Sequence, residues 1–172
     1  MQLHSTKAIP QSKASIRQKV RSFKETFKIP ISGKIDVIKY LEYLQYVEFL
    51  EIEVVPDLAL KNSYAETDLL NRKVYIRESV YIRAAKGNPR DRFTIAHELG
   101  HVVLHTGRIV VCRANEEIKA YENPEWQANQ FAAEFLAPLE AIKVNDSINE
   151  ISNMFQISKE VASYRKKEAT SC

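Results

Sequence analysis

The chain has 172 residues, a formal net charge of +3 and two cysteines, in an ordinary globular composition. That length gives one domain with a real core, and so mild a charge does not by itself indicate a nucleic-acid binder. No apolar run approaches the ~18 residues that span a bilayer, the opening MQLHSTKAIPQSKAS has no signal-peptide core, and Cys112 with the terminal Cys172 makes a poor disulfide framework; a cytoplasmic protein is expected.

Residues up to Gln11 read as a loose tail. From Ser12, Ile16, Val20, Phe23 and Phe27 recur at helical spacing and predict an amphipathic helix that ends before Ile29-Pro30. Lys13, Arg17, Lys19, Arg21, Lys24 and Lys28 crowd this segment, and Lys159, Arg165, Lys166 and Lys167 crowd the C-terminal one. Both runs read more readily as solvated helix faces than as a DNA surface. Ile35 to about Gln45 predicts a second helix with Ile35, Ile38, Leu41 and Leu44 inward, while Tyr40, Tyr43 and Tyr46 line its edges. Alternation predicts strands at Glu51–Val55 and Lys73–Arg77, with Tyr64–Asp68 as a short partner of the latter. Glu78–Lys86 reads as a short helix closed by Gly87-Asn88.

Pro89 opens the central helix, which Thr106-Gly107 ends. It contains FTIAHELGHVVLHT, with His97, Glu98 and His101 in the H-E-x-x-H pattern. Residues i and i+4 share a helix face, so both imidazoles can grip one metal ion, and Glu98 stays near enough to act on a water held there. Two histidines and an adjacent carboxylate base are the arrangement of zinc peptidases. Ile95, Leu99, Val102 and Val103 bury the helix, and Gly100 within it predicts close approach of another element. Arg108–Arg113 reads as a loop or short strand, with Cys112 a buried or half-buried thiol rather than a ligand.

Asn123-Pro124 starts a further helix that stops at Pro138, with Ala128, Ala132 and Ala133 small enough for close packing. It offers two candidates for a third metal ligand, Glu125 and Glu134, and position alone does not separate them. From Ser147, SINEISNMFQISKEVASYRKK reads as two short helices around Ile157-Ser158, a loose helix-turn-helix pattern in which Gln156 stands where a turn glycine would help.

The words RDRFTIAHELGH, then Leu104-His105, then EWQANQFAAEFLAP together resemble the ImmA/IrrE family of metallopeptidases. The resemblance implies an α+β fold: a zincin-like minimal metallopeptidase domain, a small mixed sheet packed on helices, with a helical C-terminal extension. It implies His97 and His101 as metal ligands and Glu98 as the catalytic carboxylate. The glutamate three residues before the Ala128-Asn129 pair is the family's third ligand, which selects Glu125 over Glu134. Two positions depart from the pattern: Gln127 replaces an often acidic residue, and Ala137 stands where methionine is common. His105, a turn beyond His101 with no glycine break between them, is assigned a role behind the ligands or in packing.

The expected organisation is a tail and basic helix over residues 1–34, a catalytic domain over 35–143 and a helix-turn-helix-like extension over 144–172. The expected cofactor is Zn2+, with Mn2+ as another divalent ion such a site takes. Similar proteins cut a cognate helix-turn-helix repressor, often encoded on mobile elements, so the expected activity is site-specific peptide hydrolysis that relieves repression. The alternative is a toxin-like or anti-repressor partner that binds such a regulator without cutting it, and DNA ranks below either protein partner.

Overall fold

Most helices begin at a residue whose side chain accepts from the first free backbone N–H groups. In the computed structural model, which describes residues 6–107, 109–111 and 118–171, Ser12 caps α1 (Lys13–Thr26) and Asp36 caps α2 (Val37–Tyr46). Helix α3 (Glu78–Ala85) follows a strand without a side-chain cap. Asn88 caps α4 (Pro89–His105), Asn123 caps α5 (Pro124–Leu136), Ser147 caps α6 (Ile148–Phe155) and Ser158 caps α7 (Lys159–Thr170). Gln156 closes α6 at φ +49°, the left-handed backbone that a glycine would adopt without strain.

The strands are β1 (Thr6–Ala8), β2 (Glu51–Val55), β3 (Ala65–Asp68), β4 (Lys73–Arg77) and β5 (Ile109–Val111). β2 runs parallel to β4 and β3 antiparallel to it, in the order β2-β4-β3. Val74 and Ile76 of the central strand are fully buried, as the alternation requires. β1 pairs antiparallel with β5, Thr6 opposite Val111. This corrects the loose tail expected up to Gln11: Thr6–Ala8 is a strand and Gln11 is buried. Three residues carry no detectable period, and their partner strand lies beyond the whole of α4. Arg108 and residues 112–117, with Cys112 among them, and Cys172 lie outside the described residues.

One core joins Ile16 and Val20 of α1, Leu41 of α2, Ile76 of β4, Leu99 of α4, Phe131 of α5 and Phe155 of α6. The three segments into which the sequence divides therefore share an interior. Two buried arginines tie it together through oxygen acceptors. Arg92 of α4 donates to the carbonyls of Ile35 (2.7 Å), Phe155 (2.9 Å) and Gln156. Arg165 of α7 donates to the Ala137 carbonyl (2.9 Å) and to the carboxylates of Glu134 and Glu168. Among the described residues the fold is seven α-helices, a three-stranded mixed sheet and the β1–β5 pair, the α+β class expected. No described helix is long and apolar enough to cross a membrane.

Candidate metal centre

α4 and α5 cross where Gly100 removes a side chain. A Cβ there would lie 3.1 Å from the Phe131 side chain and 3.2 Å from the Ala128 backbone. This close approach sets the first turn of α5 against the histidine face of α4. His97 Nε2 and His101 Nε2 are 3.0 Å apart. Glu125 reaches both, with Oε2 at 3.2 Å from His97 Nε2 and Oε1 at 3.4 Å from His101 Nε2. His101 is buried, while the Glu125 side chain is 47% exposed, so the cluster opens to solvent on the α5 side.

The donor set fits a metal ion. Ligands about 2.0–2.1 Å from a tetrahedral centre stand about 3.3–3.4 Å from each other; one donor atom from each of the three residues lies within 4.8 Å of the others, and each imidazole Nε2 has its own Glu125 oxygen at 3.2–3.4 Å. Imidazole and carboxylate donors suit zinc and other divalent first-row ions. His97 Nδ1 lies 2.9 Å from Asn129 Oδ1; with the amide oxygen on that side, the ring proton sits on Nδ1 and Nε2 is bare toward the cluster. Among the described residues, His97, His101 and Glu125 are the group of three such donors that converge.

The charges agree with this arrangement. When the two rings are protonated, hydrogen bonds from His101 and His97 hold the Glu125 carboxyl well below the usual carboxylate range. Burial works against a charged His97, but Glu125 and Glu98 outweigh it and raise its pKa. Burial, with His101 adding to it, pushes His105 down to about 4, so that ring is neutral near pH 7.

Glu98, also buried, turns to the sheet side, where its Oε2 accepts from Thr67 Oγ1 of β3 at 2.6 Å. β3, which carries Thr67, pairs with β4 alone among the described residues, so its other edge has no strand partner there. Glu134, the other carboxylate considered for the third ligand, is elsewhere: it accepts from Arg165 and from the Leu139 backbone N–H (3.2 Å). His105 lies behind His101, Nδ1 to Nδ1 at 3.0 Å, and meets Gln127 Oε1 at 3.0 Å through Nε2.

Sequence reasoning missed Asn129 and Thr67. Asn129 had a signal, since it follows Glu125 by one helical turn on the same face. Thr67 had none, because its place depends on how β3 lies against α4.

A sequence comparison with known protein families matches residues 50–167 to the IrrE N-terminal-like domain, Peptidase_M78. A search of curated proteins finds no match. The matched span begins just before β2 and takes in both helices that supply the converging donors. With more than half its length inside that match, the chain belongs to the Peptidase_M78, or IrrE N-terminal-like, family of metallopeptidases.

Proposed function

We propose that this protein is a zinc-dependent, site-specific endopeptidase, that its substrate is a helix-turn-helix (XRE-type) repressor, and that cutting it relieves repression. The observation that carries the hydrolytic part is the convergence of His97 Nε2, His101 Nε2 and the Glu125 carboxylate within 3.0–3.4 Å of each other. These three residues would hold the ion, with Mn2+ as the other candidate. When bound, the ion supplies Lewis acidity: it brings the pKa of a water to about 7 and polarises the scissile carbonyl.

The remaining work falls to the chain's own residues. Glu98 takes a proton from the attacking water and delivers it to the departing amine nitrogen. The Thr67 hydroxyl holds one carboxylate oxygen of Glu98 and so fixes its direction. An extended substrate segment adds to the free edge of β3, which presents its scissile bond beside Glu98. The repressor as substrate is supported by the resemblance carried by the HELGH and EWQAN segments.

The basic segments give little support to a DNA partner. Lys13 pairs with Glu168 at 2.6 Å, Arg17 with Glu134 at 3.6 Å and Arg21 with Glu25 at 3.1 Å, while Lys24 and Arg165 are buried.

The test mixes the zinc-loaded protein with a candidate helix-turn-helix regulator, sought first among the genes beside its own, and looks for fragments by mass spectrometry. Fragments are expected from the wild type. Glu98→Gln should retain the metal and produce none, and cleavage by a metal-loaded Glu98→Gln protein would reject the mechanism. A stable complex without fragments would favour the non-cleaving partner instead.

A further inference from the structure

His101 turns Nε2 toward His97 and Glu125 and turns Nδ1 toward His105 Nδ1. A hydrogen bond between two imidazole nitrogens carries one proton, which belongs to one ring or the other. Gln127 decides which. It is fully buried, and its NH2 group donates to the carbonyls of Ile9 (3.0 Å) and Tyr121 (2.7 Å). A carbonyl oxygen can only accept, so the amide cannot turn over without setting its own oxygen against two others.

Gln127 Oε1 therefore faces His105 Nε2, and it also accepts from Gln11 Nε2 at 3.0 Å. An oxygen acceptor there requires the proton on His105 Nε2. A neutral His105 then has a bare Nδ1, and the proton shared with His101 must sit on His101 Nδ1. In that form His101 keeps its Nε2 lone pair for an ion. The opposite tautomer would put a hydrogen where the ion binds.

We propose that Gln127, acting through His105, is a positioning residue that fixes the tautomer of His101, and that the backbone of Ile9 and Tyr121 anchors this chain of hydrogen bonds. The proposal rests on the ligand set given under Proposed function. It also joins a segment outside the family match, Ile9 to Gln11, to the metal centre.

Two measurements on the full chain test it. The first is nitrogen-15 NMR of the metal-free protein, about two pH units above the ordinary histidine pKa. The shared proton is expected on His101 Nδ1, with a nitrogen–nitrogen coupling to His105 Nδ1 and a bare His101 Nε2. A proton bonded to His105 Nδ1 overturns the proposal. The second is zinc competition against a chelator, with thermal melting to check folding. Gln127→Leu, which keeps the bulk but removes the acceptor facing His105, is expected to weaken zinc about ten- to a hundredfold. Wild-type zinc affinity in a folded Gln127→Leu protein also overturns the proposal. If the wild type binds no zinc, the ligand set fails, and the NMR measurement still decides the tautomer.

Discussion

Thr67→Val keeps a branched side chain but removes the hydroxyl that donates to the Glu98 carboxylate. A hydrogen bond to a charged group contributes about 1.5–3 kcal/mol, so kcat for the proposed cleavage should fall by about ten- to a hundredfold. Zinc content should stay unchanged, because Thr67 touches none of the three converging donors. Steady-state kinetics beside metal analysis checks this, and an unaltered kcat would reduce Thr67 to a packing residue. The residues differ in how far the sequence reveals them. His97, Glu98 and His101 are legible because their geometry follows from spacing along one helix. Glu125 needs knowledge of which helices cross, and the residues alone leave Glu134 beside it as an equal candidate. The proton positions on His101 and His105 depend on backbone carbonyls at Ile9 and Tyr121, which no local pattern announces.

The α4–α5 crossing at Gly100 is the contact between elements on which the centre depends. Gly100→Val adds a branched side chain where even a Cβ would lie 3.2 Å from the Ala128 backbone, and backbone cannot swing aside as a flexible side-chain end can. Overpacking of this kind costs about 1–3 kcal/mol, and urea denaturation should show it. Zinc affinity should fall as well, since Glu125 lies within a turn of Ala128 on the displaced helix. A variant as stable and as zinc-avid as wild type would show that the crossing tolerates a wider gap. The elements themselves are largely legible. Asn88-Pro89 and Asn123-Pro124 announce two helix starts, and Ser12, Ser147 and Ser158 announce three more. Pairing between distant strands is not, and β1 with β5 shows why: such short segments gain their structure from partners far away in the chain.

At the scale of the whole molecule, Lys24 is a buried cation in the shared core. Its Nζ lies 3.4 Å from the Ile31 carbonyl and 5.2 Å from the centre of the Phe135 ring, and the residue is 1% exposed. Burial pushes its pKa down to about 8 from the ordinary 10.5, against the pull of Glu134 and Glu140. Below that folded value both states hold the proton and the burial cost is fully present. Between about 8 and 10.5 the unfolded chain keeps a proton that the native protein has released, so this group makes stability rise with pH. Lys24→Met should therefore be more stable than wild type at pH 7, by on the order of a few kcal/mol, and the gap should close toward pH 10. Urea denaturation at stepped pH checks this, and parallel curves for the two proteins would refute it. The sequence alone puts Lys24 on a solvated face because lysine usually lies there; its burial follows from α1 packing against α5, a fact of assembly rather than of spacing.

If the unpaired margin of β3 receives the substrate as proposed, it has a consequence for the proposed helical target. It is only four residues long, Ala65–Asp68, and a strand's rim recruits a guest through main-chain atoms that a helix already uses on itself. A folded helical target must therefore surrender its coil locally before it can lie down there. The vulnerable bonds of such a target are those in its hinges and connecting stretches, and how loosely those stretches are held would govern how fast it is lost.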